Sequence, residues 1–175
     1  MSMRRGGSAV PAIARKDVAS SPVNYAAESN SHRSRKTVNV LVVSPFDEDH
    51  VFLNYIFSHS NWEIHAARSC REALDILRQA PIPVVICESE MAETTWKDLL
   101  AELGQLQEPP LLIVTSRLAD ESLWAEVLNL GGYDVLMKPF DRAEVVRTIS
   151  LAWMHWKDTW ERAGATDRLA SAVSC

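Results

Sequence analysis

Short apolar runs separated by amphipathic stretches recur five times between residues 38 and 160, and that alternation leaves few folds open. VNVLVV at 38–43 and PVVICE at 83–88 are nearly unbroken and rich in Val and Ile. That is the pattern of a central parallel strand covered on both faces. PLLIVTS at 110–116 repeats it, and VLMKPF at 135–140 carries a shorter version. Trp62, Ile64 and Ala66 alternate with polar residues, as in a strand with one exposed side. Helical patterns fill the gaps. One covers 48–58, with Val51, Phe52, Ile56 and Phe57 near helical spacing. REALDILRQ follows Ser69 and Glu72, which have capping-box spacing, and Pro81 stops it. WKDLLAELG is capped by Thr95 and ended by Gly104; residues 119–130 are closed by Gly131 and Gly132. Asp141 and Glu144 open a last helix expected to end near Trp160. Five βα repeats predict one parallel sheet with helices on both faces. Ligands of such sheets sit beyond the carboxyl ends of the strands, at the switch in strand order. Those ends carry Ser44, Glu88, Thr115 and Lys138, so the pattern alone gathers these four residues.

The chain of 175 residues suits one domain with tails: a polar segment at 1–36, a domain at 37–157 and a tail at 158–175. Charge is uneven. Residues 1–36 hold seven Lys and Arg against two acids, and the remainder holds eleven against twenty-one. A basic tail on an acidic domain suits nucleic acid or an anionic surface. Here the charges are diluted by Ser, Ala, Gly and Asn with no interleaved aromatics, so 1–36 reads as a disordered, solvated tail and nucleic acid as an unfavoured partner. No apolar run approaches the ~18 residues of a membrane span. The N-terminus lacks the apolar core of a secretory signal. Cys70, Cys87 and Cys175 form no CxxC, which fits a reduced, cytoplasmic protein. His50 and His65 have no metal spacing with them, and Cys87 is expected as a small buried hydrophobe. With no GxGxxG, P-loop or GxSxG, hydrolase and dinucleotide chemistry have no support.

From about residue 37 to 156 the chain resembles the receiver domain of bacterial response regulators. KPF at 138–140, the strand end Thr115-Ser116 and Gly131 before the last strand carry the resemblance, through their order across five βα units. It implies a flavodoxin-like (βα)5 fold, a doubly wound five-stranded parallel sheet in the order 2-1-3-4-5. In that family, acids ending the first and third strands bind Mg²⁺ and accept a phosphoryl group. Glu88 aligns with the phosphoacceptor, Thr115 with the switch hydroxyl and Lys138 with the phosphate-binding lysine; the Lys138-Pro139 bond is expected to be cis. The acidic pair reads Ser44-Pro45, and the switch aromatic reads Val135. Asp47, Glu48 and Asp49 follow; an inward swing toward the site is open to them, but their placement favours the first turn of a helix, where acids suit the dipole. The three departures together describe a degenerate receiver without catalytic residues, metal site or cofactor; Mg²⁺ enters only if ligation is unorthodox. Glu88 is either a fixed anion reaching toward Lys138 and Thr115, in partial imitation of a phosphorylated state, or one half of a plain ion pair with Lys138. Ala92 and Trp96 replace the Pro and Gly usual after the acceptor, so Trp96 either lies at the site mouth or packs over the third helix.

Six tryptophans are many for this length. Ile149, Trp153, Trp156 and Trp160 share one face of the last helix. Trp124 and Leu128 widen the apolar stripe of the preceding helix beyond one buried face. Receivers often dimerise through these two helices, so Trp124, Leu128, Trp153, Trp156 and Trp160 are candidate contacts for a second copy or a protein partner, a histidine kinase among them. The expectation is a stand-alone, receiver-like two-component module without a DNA-binding domain, acting by protein–protein binding. The alternatives are a phosphorylatable regulator with unorthodox metal ligation and a nucleic-acid adaptor using residues 1–36.

Overall fold

Apolar alternation along each strand decides which helix covers which face of the sheet. The computed structural model describes residues 37–173, with side chains as far as Ala163. The expectations for residues 1–36 and Cys175 lie outside the described residues. The strands are β1 (Val38–Val43), β2 (Trp62–Ala67), β3 (Val84–Glu88), β4 (Leu111–Ser116) and β5 (Asp134–Met137). The helices are α1 (Asp47–Phe57), α2 (Cys70–Leu77), α3 (Trp96–Leu103), α4 (Glu121–Leu130) and α5 (Arg142–Val173). All strand pairs are parallel, in the order β2-β1-β3-β4-β5, as the resemblance implies.

Val40 and Val42 of β1, Val84 and Ile86 of β3 and Ile113 of β4 face α1 and α5, meeting Leu53, Ile56, Val145 and Ile149. The residues between them, Leu41, Val43, Val85, Cys87, Leu112 and Val114, face α2, α3 and α4. Every residue of β3 is buried, which explains its unbroken apolar run. The caps act at the carboxyl edge. Ser69 accepts from the Glu72 amide, while Glu72 reaches back to the Arg68 amide rather than that of Ser69. Thr95 and Asp98 form a complete capping box at α3. Gly131 ends α4 at φ 99°, a left-handed conformation that favours glycine, and a side chain at Gly132 would collide with Val127. The Lys138-Pro139 bond is cis.

The last helix differs from expectation. It continues past Trp160 to Val173. Among the described residues no helix is long and apolar enough to cross a membrane.

Candidate functional site: a lysine between two carboxylates

Four strand ends and the first turn of α1 converge beyond the carboxyl edge of the sheet. Ser44 follows β1, Glu88 ends β3, Thr115 lies at the end of β4 and Lys138 follows β5. All four are buried. The parallel register aligns Glu88 with Thr115. The structure therefore brings together the residues gathered by the sequence pattern, and it adds a fifth, Asp49.

Asp47, Glu48 and Asp49 all lie in the first turn of α1, but they differ in direction. Asp47 pairs with Arg68 and Glu48 with Arg117, both in solvent. Asp49 instead turns inward and is buried, which corrects the expectation that all three serve only the helix terminus. Its spacing to Leu53 and Ile56, i+4 and i+7, puts it on the buried face of α1, a signal already in the sequence. Ser44 fixes its direction. The Ser44 hydroxyl donates to Asp49 Oδ2 and accepts from the Phe46 amide at 3.2 Å. His50 Nε2 donates to the Ser44 carbonyl at 2.8 Å, and its buried Nδ1 has no protein partner. Pro45 sits half-buried at the bend between β1 and α1.

Lys138 Nζ bridges Asp49 Oδ2 and Glu88 Oε2. It also lies 5.2 Å from the ring centre of Phe46 and 5.6 Å from that of Phe140, within cation–π range. Glu88 is held on both oxygens. Oε2 also accepts from the Thr115 hydroxyl at 3.3 Å; Oε1 accepts from the Ser89 hydroxyl and the Glu90 amide, each at 3.0 Å. The longer stem of Glu88 thus folds its carboxylate among donors of its own loop as well as toward Lys138. Two carboxylates and one ammonium leave one net negative charge, buried. Such a group persists only when closely paired and hydrogen-bonded. Beside it opens a cleft of about 390 Å³, lined by Asp49, Phe52, Lys138 and Phe140, with the Glu48–Arg117 pair at its rim.

Val135 is buried against the α2–α4 face, with no ring to turn. Trp96 is buried in the same apolar cluster and so packs under α3 rather than over the site. Trp153 packs edge-on against Trp62, 6.0 Å between ring centres. Trp156 donates to the Pro109 carbonyl at 3.0 Å and meets Trp160 at 6.2 Å. These three rings are partly covered by their own domain. Trp124 and Leu128 stay exposed, and Trp124 Nε1 donates to Asp134 at 3.2 Å.

Residues 33–150 match the response regulator receiver domain family. The chain belongs to this family. It is similar to the transcriptional regulatory protein ZraR of Escherichia coli K12, 29% identical over 119 residues, covering 67% of this chain but 27% of that protein. It is also similar to the chemotaxis protein CheY of Thermotoga maritima, 23% identical over 63% of this chain and 93% of that one. Among solved structures, the signal receiver domain of an HD domain-containing protein from Pseudomonas fluorescens Pf-5 superposes with a TM-score of 0.66 at 25% identity, over 72% of this chain and 93% of its own. The chain thus spans about a quarter of the ZraR relative's length and nearly all of single receiver domains. A receiver of the usual kind binds Mg²⁺, which requires a near-octahedral set of oxygens. The residues here do not fit it. Asp49 and Glu88 each commit an oxygen to Lys138, and the Ser44 proton points at Asp49. Among the described residues no group of three or more His, Cys, Asp or Glu is arranged to hold a metal ion.

Proposed function

We propose that this receiver domain works in two-component signalling by binding a protein partner, and does not accept a phosphoryl group by the usual route. The observation that carries the reading is Lys138 held between Asp49 and Glu88. Phosphoryl transfer is mostly positioning plus neutralisation of developing charge. Here the central cation is already matched by two carboxylates, and the remaining charge is negative, so an anionic phosphodonor meets a repulsive site. Glu88 is poorly suited to attack, because Lys138, Thr115, Ser89 and Glu90 all hold its oxygens. The same contacts keep the Thr115 hydroxyl turned inward, a partial imitation of a phosphorylated site. Phosphate carries nearly twice the charge and three acceptor oxygens. No Mg²⁺ or other cofactor enters this reading. The proposed contact surface is α4 with the adjoining edge of β5, where Trp124 and Leu128 are exposed; its occupant is a second copy or a protein such as a histidine kinase.

An amide NMR titration tests the reading, first with Mg²⁺ and then with added beryllofluoride as a phosphoryl surrogate. The expected result is no saturable shift at Glu88, Thr115 or Lys138. Shifts clustered at those residues would overturn it, in favour of a phosphoryl-accepting receiver in which Asp49 lets go of Lys138.

A further inference from the structure

On the reading that α4 and the edge of β5 form the contact surface, we propose that its occupant is a Lys- or Arg-bearing amphipathic segment of another protein, not a second copy of this chain. β5 is the outermost strand of the sheet, with α4 on one face and α5 on the other. A groove of about 540 Å³ runs there, between the start of α4 and the start of α5. Trp124 and Met137, each about half exposed, give it an apolar lining. The rest of the wall is acidic. Asp120 and Glu121 come from the start of α4, Asp134 from β5 and Glu144 from α5, against a single arginine, Arg147. The groove therefore carries three net negative charges.

Elsewhere on the surface exposed acids face cations: Asp47 with Arg68, Glu48 with Arg117, Asp75 with Arg78, Glu126 with Lys97 and Glu161 with Lys157. Among the described residues, none of the four groove carboxylates is in an ion pair. Two of them are already held in place. Asp134 Oδ1 accepts from Trp124 Nε1 and from the Val135 amide, which leaves Oδ2 for an incoming donor. Asp120 Oδ1 accepts from the Leu123 amide, which leaves its Oδ2 likewise. Charge then decides between the occupants. Two copies joined by a two-fold axis bring one patch against itself. Three net negative charges would face three more within roughly a Debye length, about 8 Å in physiological salt. Like charges opposed in this way reject the contact. A segment with an apolar anchor flanked by Lys or Arg satisfies both linings. It covers Trp124 and Met137, and it pairs the carboxylates. An amphipathic helix presents that pattern to a groove.

The test uses the full chain and two synthetic amphipathic helices, one of Leu, Ala and Lys, the other with Glu in place of Lys. Fluorescence anisotropy of the labelled peptides reads affinity, and sedimentation velocity reads the oligomeric state. The expected results are a monomeric chain, binding of the Lys helix that weakens as salt rises, and no binding of the Glu helix. The double variant E121Q and E144Q should bind the Lys helix about tenfold more weakly, the loss of two exposed ion pairs. W124A should weaken it too. E63K, on β2 at the opposite edge of the sheet, should leave it unchanged. A dimer dispersed by W124A would overturn the proposal, as would a parent chain that binds neither helix or both alike. Loss of binding in W124A but not in E121Q and E144Q would refute the selection by charge and leave the α4–β5 contact surface standing. Indifference to all of these changes would refute both. The substituted side chains lie at the surface, and matching unfolding midpoints show that the variants fold.

Discussion

Lys138 is where charge, burial and register meet, and its removal separates structural from incidental roles. Lys138→Met leaves Asp49 and Glu88 facing each other without a cation, both buried. Breaking a buried pair in this way costs about 3–5 kcal/mol, so the urea midpoint should fall sharply. Asp49→Asn has two opposing effects. It loses a charge-assisted bond worth about 1.5–3 kcal/mol, but it relieves carboxylate repulsion and leaves a neutral Lys138–Glu88 pair. The net loss expected by urea unfolding is under about 2 kcal/mol, well below that of Lys138→Met. Equal losses would mean that Asp49, not Glu88, is the main partner of Lys138. Glu88, Thr115 and Lys138 were legible because strand ends converge in any doubly wound sheet. Asp49 was harder to read. Three consecutive acids suit a helix amino-terminus in any orientation, and only helical phase relative to Leu53 and Ile56 selects the inward one.

Among the elements, α3 has the most complete cap. The Thr95 hydroxyl accepts from the Asp98 amide, and Asp98 accepts from the Thr95 amide and hydroxyl. Thr95→Ala should cost about 1 kcal/mol of unfolding free energy. Those bonds hold the Asp98 carboxyl below its usual pKa of 3.8. A depressed carboxyl contributes stability above its unfolded pKa and loses it as pH falls through the folded value. Stability measured downward from about pH 4 should therefore fall less steeply in Thr95→Ala than in the parent. In α5, Trp156→Phe removes the bond to Pro109 and should cost about 1 kcal/mol in the same unfolding assay, without altering association. Caps and strands could be read locally, since their signals lie within four residues. The length of α5 could not. The end expected near Trp160 follows the usual length of a receiver's last helix, and residues 161–173 hold no proline to stop it there.

For the whole molecule, the proposed binding role turns on where a partner docks. Sequence spacing grouped five residues as a possible interface, but it cannot distinguish a stripe that packs inward from one left bare. Tertiary contact makes that distinction. Trp153, Trp156 and Trp160 are drawn against Trp62, Pro109 and one another, while Trp124 remains 50% exposed on α4 beside the exposed Met137 of β5. The Trp124–Asp134 bond holds the indole over the edge of β5, so little ordering cost attends its burial. A tryptophan contributes roughly 150–250 Å² of surface. Covering its exposed half is worth about 2 kcal/mol at ~25 cal/mol per Å². Trp124→Glu should therefore weaken self-association or partner binding roughly 30-fold, while the unfolding midpoint stays within about 0.5 kcal/mol of the parent, as for other surface changes. Sedimentation velocity across a concentration series checks the self-association arm, and titration calorimetry with a captured kinase checks the other. A parent chain that stays monomeric and binds the kinase as tightly as the variant does would remove α4 as the docking face, with the ion triad at Lys138 unaffected.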